Sequence, residues 1–266
     1  PRKSVLTNDS ARPDAPLHYC TTALQHDGAL LNKESRQIRG MFASIAHRYD
    51  LVNRLLSFSQ DRRWRRVCAG KLQERLPESA LVLDLCAGTG DLAIELSRES
   101  RVVACDFCHP MLVLGQQKVE SDGGSEIIRF VEGDALQLPF PSGSFDGVTI
   151  AFGLRNLPDY VEGLREMCRV LRTGGTLAVL EFSQPRFPVF KQLYFFYCMR
   201  VLPQIGQWIS GEKGPYSYLP QSVREFPDPT KLETLILQAG FASPRHYSLT
   251  AGIVTLHLAQ AQKSVD

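Results

Sequence analysis

The residues best placed to do chemistry form the run Asp84-Leu-Cys-Ala-Gly88-Thr89-Gly90-Asp91. Glycines at that spacing let a backbone turn sharply and approach a ligand with no Cβ in the way. The run follows a short apolar stretch and precedes a helical one, where an open α/β sheet offers its ligand crevice. A dinucleotide site would read GxGxxG, with amides aimed at a pyrophosphate. Here Asp91 follows Gly90, and no third glycine stands at the helix start. A carboxylate there suits a cationic sulfonium with an amino-acid end better than a diphosphate. Asp106 ends the next apolar run, 22 residues beyond Asp84, where an acid can accept hydrogen bonds from two ribose hydroxyls. Asp134 ends a third run within Glu132-Gly133-Asp134-Ala135, placed to read an adenine amino group. Met111 offers a thioether to lie under the adenine ring. Taken singly, these are ordinary turns and helix caps. In this order, at successive strand ends, they describe a nucleoside site, and S-adenosylmethionine is the nucleoside that suits it best.

Such a site needs strands to end where these residues stand. Leu81–Leu85, Arg101–Cys105, Ile127–Val131, Phe145–Ile150 and Thr176–Glu181 are short and apolar, several almost without interruption, as strands covered on both faces should be. Helical stretches separate them, which predicts a parallel sheet with right-handed crossovers. Ahead of the sheet, Ile38, Met41, Phe42 and Ile45 mark one helix face. A second helix carries Trp64, Val67, Cys68, Lys71 and Leu72 on one side and should end near Leu76-Pro77. Asp228-Pro229 reads as an N-cap and first-turn proline, Leu232, Leu235, Ile236 and Ala239 as an apolar face, and Gly240 as the stop. His246–Leu249 and Ile253–Leu258 predict a closing hairpin.

Bulk composition narrows the function classes. The 266 residues, 44% hydrophobic, suit one α/β domain with appendages. A net charge of +2 argues against nucleic acid as partner. The one basic cluster, Arg62, Arg63, Arg65 and Arg66, reads as a solvated helix face or a contact for phosphates or an anionic membrane. Seven scattered cysteines point to a reducing compartment. Cys105 and Cys108 form a CxxC without a second pair at finger spacing, so they read as packing residues and no metal is expected. Residues 1–33 lack apolar periodicity and read as a flexible leader, with no apolar run of a signal peptide. The aromatic stretch from Phe187 to Ile209 is broken by Pro188, Lys191, Arg200 and Pro203, so it is no clean membrane span.

From about Arg39 onward the chain resembles the menaquinone and ubiquinone biosynthesis C-methyltransferases. The resemblance is carried by Met41-Phe-Ala-Ser-Ile-Ala-His-Arg-Tyr-Asp-Leu-Val-Asn53, Arg62-Arg-Trp-Arg-Arg66, Leu83–Asp91, Gly133-Asp-Ala135 and Leu138-Pro-Phe140. It continues through Ala151-Phe-Gly-Leu-Arg-Asn156, Arg165-Glu-Met167, Arg169-Val-Leu171, Leu180-Glu-Phe-Ser183, Tyr216-Ser-Tyr-Leu-Pro-Gln-Ser222 and Gly252-Ile-Val254. The glycine loop is common to many methyltransferases, whereas Phe-Gly-Leu-Arg-Asn, Leu-Glu-Phe-Ser and Tyr-x-Tyr-Leu-Pro-x-Ser are far more specific. Many relatives carry Asn where Asp134 stands, and some carry Ser in place of Ala151.

The resemblance implies a Rossmann-like class I methyltransferase fold: a mostly parallel seven-stranded sheet whose last strand is antiparallel, helices on both faces and extra N-terminal helices. It implies one domain over 34–266, with a helical lid at 34–77 and a substrate-side insertion at 187–222. Thr89, Asp106 and the pair Asp134-Ala135 would hold the cofactor together with Gly88, Gly90 and Met111. The implied reaction is methylation of a ring carbon of a prenylated quinol. Such a carbon is nucleophilic only when a ring hydroxyl loses its proton. Arginine is a poor base, but Arg155 can stabilise the developing quinolate, and Asn156 can orient the same oxygen or a water. A structural ion pair is the other reading of Arg155. Tyr49 and Asp50 read as lid residues, and His47 and His109 as further bases or structural histidines. The aromatic segment suits a tunnel for a prenyl tail, a bilayer contact, or a homodimer interface. A cytoplasmic enzyme touching the membrane transiently is therefore expected. The rival readings are a class I methyltransferase with another aromatic or lipid acceptor, and a cofactor-binding scaffold subunit of a quinone-synthesis complex.

Overall fold

A computed structural model describes residues 33–121, 127–185 and 214–262, together with positions 192, 196, 197, 200 and 204. The leader and most of the aromatic segment lie outside the described residues.

Seven strands run β1 (Leu81–Leu85), β2 (Arg101–Asp106), β3 (Ile128–Glu132), β4 (Phe145–Ala151), β5 (Leu171–Phe182), β6 (Phe241–Leu249) and β7 (Val254–Ala261). They form one sheet in the order β3-β2-β1-β4-β5-β7-β6. The first five are parallel, and β7 runs antiparallel to both β5 and β6. The hairpin is the predicted one, begun earlier at Phe241. β5 also begins earlier than its apolar run, because Leu171 already pairs with Phe145 before the register shifts at Gly147.

Val82, Val102, Ala104, Ala178, Leu180, Leu256 and Leu258 pack on one side of the sheet with Trp64, Cys68 and Leu72, and with Leu92 and Leu96. Alternate residues point the other way, and Leu81, Leu83, Val103, Val148, Ile150, Leu177 and Val179 are buried too, so both faces are covered. The helices are α1 (Lys33–Leu56), α2 (Gln60–Gln73), α3 (Asp91–Leu96), α4 (His109–Ser121), α5 (Tyr160–Val170), α6 (Gly214–Glu225) and α7 (Pro229–Gln238). α2 stops at Gln73, three residues before the predicted boundary, and a turn leads to Pro77. Asp228 caps α7 by accepting the Lys231 N–H, and Gly240 ends it at φ 97°. Asp159 caps α5 in the same way, accepting the Glu162 N–H at 3.0 Å. Among the described residues no helix is long and apolar enough to cross a membrane.

Candidate active site

The chain crosses from β3 at the sheet edge to lay β4 beside β1, so the C-terminal ends of β1 and β4 flank the topological switch point. Two non-glycine residues hold left-handed backbone there, Cys86 after β1 at φ 55° and Phe152 after β4 at φ 57°. Such conformations cost on the order of 1–3 kcal/mol each and mark places where function outranks local comfort. Gly153 closes the gap between the two loops. A Cβ on it would lie 2.4 Å from the Cβ of Cys86.

A cleft opens above these strand ends. Leu85, Cys86, Gly88, Asp106, Met111, Asp134, Ala135, Ala151, Phe152, Gly153 and Asn156 line it, and Ile38, Phe42 and Tyr49 of α1 contribute a further wall. Five of the seven cofactor residues expected from sequence therefore meet in one space. Asp106 is 7% exposed. It accepts the Gly88 N–H and the Cys108 N–H, each at 2.8 Å, and so ties the glycine loop to the end of β2. Burial raises its pKa to about 6, against the lowering pull of those amide donors. Asp134 accepts the Leu136 N–H at 2.9 Å within its own turn.

The other two cofactor residues shape the loop without lining the cleft. Gly90 takes φ 78° as the residue before α3. Thr89 is buried, and its hydroxyl donates to Asp50 of α1 at 2.6 Å. Asp91, read from sequence as company for a sulfonium, turns elsewhere. It pairs with Lys118 and has Arg54 and Arg65 each at 3.9 Å. Burial alone would raise its pKa, but Arg65, Lys118 and Arg54 together hold it below the usual carboxylate range.

Beyond Phe42, Tyr49 and Phe152 lies a second, mostly apolar cavity of about 250 Å³, so these three side chains form the partition. Its walls include Ile45, Leu56, Phe58, Trp64, Phe182, Leu219 and Ile253. Two ion pairs flank the aromatic floor. Arg65 donates to Asp61 at 2.7 Å and sits 5.5 Å from the Phe152 ring. Arg155 donates to Glu181 at 2.8 Å and to the Phe152 carbonyl, and sits 5.3 Å from the Phe182 ring. The Arg155 side chain is 7% exposed and that of Glu181 0%. The Arg155 Nε is buried with no hydrogen-bond partner. Trp64 donates its indole N–H to Thr250 at 2.8 Å. Burial raises the pKa of the Tyr49 phenol despite Arg65, a hydrogen bond with Asn53, and Arg155, so it stays protonated at neutral pH.

The two expected catalytic residues are thus divided: Asn156 lines the cleft and Arg155 the apolar cavity. Tyr49 lines both spaces, a position that a helical pattern does not distinguish from lid packing. Glu181 stands out in the sequence only as a strand end and inside the Leu-Glu-Phe-Ser motif, with no signal that it faces Arg155. The basic cluster also splits: Arg65 is buried in the site, while Arg62, Arg63 and Arg66 are exposed. Cys105 and Cys108 are buried free thiols, Cys108 in the cleft wall itself. His109 bonds Glu132 at 3.0 Å outside both spaces.

S-adenosylmethionine fits the cleft by the chemistry of its donors. A buried carboxylate can take vicinal hydroxyls, Met111 and Phe107 offer soft apolar surface to a purine, and Asp134-Ala135 offers polar backbone and side-chain atoms to its edge. The sheet order, the switch-point cleft and that donor set together define a class I S-adenosylmethionine-dependent methyltransferase. The sequence profile of the ubiE/COQ5 methyltransferase family matches residues 30–261, and the chain belongs to that family. It is 49% identical over 221 residues to the demethylmenaquinone methyltransferase of Thermus thermophilus, covering 82% of this chain and 98% of that one. It is 45% identical over 232 residues to the ubiquinone/menaquinone biosynthesis C-methyltransferase UbiE of a Geobacter species, covering 86% and 97%. A solved SAM-dependent methyltransferase from Aquifex aeolicus superposes with a TM-score of 0.55 at 19% identity, covering 73% of this chain and 89% of that one, a likeness of fold.

Proposed function

We propose that this chain transfers a methyl group from S-adenosylmethionine to a ring carbon of a prenylated quinol, with demethylmenaquinol as the preferred acceptor. The observation that carries this reading is the pair of adjoining spaces, a cleft carrying Asp106 and Asp134 and an apolar cavity, with Phe42, Tyr49 and Phe152 lining both. The names of the relatives from Thermus thermophilus and Geobacter support the quinol acceptor.

The cofactor supplies an electrophilic methyl on a cationic sulfonium, so its transfer neutralises charge and is favoured in a dry site. Asp106 holds the ribose end. Phe152 and Tyr49 keep water from the junction and set the line between the two spaces. Arg155 presents positive charge to the acceptor cavity, where its unpartnered Nε–H can donate to a quinol oxygen as that oxygen gains charge. Glu181 fixes the guanidinium in place and leaves the site near neutral in the resting state. Tyr49, protonated, serves as a second donor. Asn156 faces the cleft and orients a water at the boundary that takes the quinol hydroxyl proton, and the ring proton passes to water by the same route once the new carbon–carbon bond has formed. The work is done from the cytoplasmic side, at a membrane surface where such an acceptor resides.

Purified protein given labelled S-adenosylmethionine with reduced demethylmenaquinone, a demethoxy-type benzoquinol or a simple phenol tests this directly. Label in the naphthoquinol supports it. Label only in the phenol moves the chain to another acceptor class. Cofactor binding without turnover on any acceptor points to a scaffold subunit.

A further inference from the structure

α1 already spends one face on the site, through Ile45, Ala46, Phe42 and Tyr49. Its opposite side should be polar. Instead Leu51 is 54% exposed, Leu55 51%, and Phe58, just past the helix end, 77%. Leu51 and Leu55, at i and i+4, stand side by side on that face, and Phe58, turned by its left-handed backbone at φ 51°, is exposed just beyond the helix end. Phe196 is 61% exposed, and its chain neighbour Tyr197 donates its hydroxyl to the Leu56 carbonyl at 3.0 Å, with its ring 6.2 Å from that of Phe58. Clustered exposed side chains of this size mark an interaction surface, unlike single scattered ones.

Two neighbouring features say what the surface meets. Arg62 and Arg63, exposed in the first turn of α2, stand four and five residues beyond Phe58, and the acid between them and the patch, Asp61, is buried against Arg65. The rim of the patch is therefore cationic. Phe58 also lines the apolar cavity, so the patch meets the cavity at that residue. A long prenyl tail on a ring held in this cavity has an apolar path outward past Phe58, which is both cavity wall and exposed surface.

We infer that the patch Leu51, Leu55, Phe58 and Phe196, with Arg62 and Arg63, docks the chain on an anionic lipid bilayer so that the cavity opens into the acyl region. The apolar side chains enter the interface, the arginines meet lipid phosphates, and the acceptor enters head first with its tail still in lipid. The role of the bilayer as the acceptor's reservoir rests on the quinol reading, whereas the docking surface does not. This places the membrane contact mainly on α1 and the α1–α2 turn, joined by Phe196 of the aromatic segment to which the sequence pointed.

The test is sedimentation of the full-length protein with vesicles, without acceptor or cofactor. Vesicles of phosphatidylglycerol in phosphatidylcholine should bind it, phosphatidylcholine alone far less, and added salt should weaken binding. Leu51→Ser/Leu55→Ser should lower partitioning about tenfold or more. It should also leave cofactor affinity and turnover of a tail-less acceptor in solution unchanged, which shows that the variant is folded. Arg62→Gln/Arg63→Gln should erase the preference for anionic lipid. Wild-type protein that stays in the supernatant at low salt overturns the inference, as do variants that bind like wild type. Sedimentation velocity gives another route to overturning it: Leu51→Ser/Leu55→Ser turns a dimer into a monomer while vesicle binding persists, and the patch joins two copies instead. Vesicle binding through this face with no quinol methylated leaves the docking surface standing and removes the proposed acceptor.

Discussion

Asp106 serves two masters. In its proposed role its carboxylate must be charged to take ribose hydroxyls, yet burial raises its pKa to about 6. A ligand whose hydroxyls favour the charged form pulls that value down, so binding should tighten as pH rises through about 6 and weaken below it. Calorimetric titration of S-adenosylmethionine between pH 5 and 8 checks this, and Asp106→Asn should bind weakly with the pH slope gone. An unaltered slope in the variant places the titrating group elsewhere. Arg155 and Glu181 make a second pair of linked demands. Arg155→Gln alone leaves Glu181 buried without its partner and should cost about 3–5 kcal/mol of stability. Adding Glu181→Gln should restore most of that, while turnover stays about 100-fold down because the cation is gone. Wild-type turnover in the double variant would make the ion pair purely structural. Asp106 and Met111 were legible because a strand end or a first helical turn places a side chain by local geometry alone. The partners of Thr89, Asp91 and Arg155 were not, since Asp50, Lys118 and Glu181 lie 39, 27 and 26 residues away.

α1 is an element held shut by polar contacts at two points. Arg39 reaches Glu132 at 2.9 Å near one end of its cleft-facing stretch. Asp50 takes the Thr89 hydroxyl and Lys118, at 2.6 and 2.8 Å, near the other. Lys118 in turn joins Asp91 at the start of α3. Between these clasps stand Phe42 and Tyr49, the inner wall of the cleft. Asp50→Asn with Lys118→Met should therefore raise the dissociation constant for S-adenosylmethionine about three- to tenfold, through faster release. Turnover at saturating cofactor should change little. Stopped-flow release rates decide it, and an unchanged rate means that apolar packing alone seats the helix. The strands were readable because burial on both faces leaves nearly unbroken apolar runs, and the caps at Asp228 and Gly240 because their chemistry is local. The short 3-10 turn Leu154–Asn156 was not, since its geometry depends on Gly153 packing against Cys86 in another loop.

On the scale of the whole molecule, stability is coupled to pH through buried groups both at the site and far from it. His257 on β7 is fully buried, donates from Nε2 to the Pro229 carbonyl at 3.1 Å, and leaves Nδ1 with no partner. Burial lowers its pKa to about 4. The unfolded chain takes up the proton near 6.5 and the folded chain only near 4, so its contribution is complete above that window and lost as pH falls through it. The full loss approaches about 3 kcal/mol. Asp84 and Asp106, whose pKa values are raised by burial, act in the opposite sense. Denaturant melts of wild type and His257→Asn at pH 7, 5 and 4 isolate the histidine: their stability difference should shift toward the variant as pH falls. A constant difference would mean that His257 charges as readily folded as unfolded. The parallel strands follow from alternating strands and helices, and the seven-stranded sheet with its antiparallel last strand from the family resemblance, whereas the order of strands comes from the structure alone. The joining of two cavities at Phe152 did not, because it depends on α1, the β1 and β4 loops and the end of β5 meeting in space.

The central claim is methyl transfer to carbon across that junction. The most direct measurement uses S-adenosylmethionine carrying a ¹³C methyl group, chemically reduced demethylmenaquinone in mixed micelles and the purified chain, with the product read by carbon NMR. The predicted result is one enriched resonance in the aryl-methyl region and loss of the ring proton signal. Enrichment in the methoxy region, or none with cofactor bound, contradicts it.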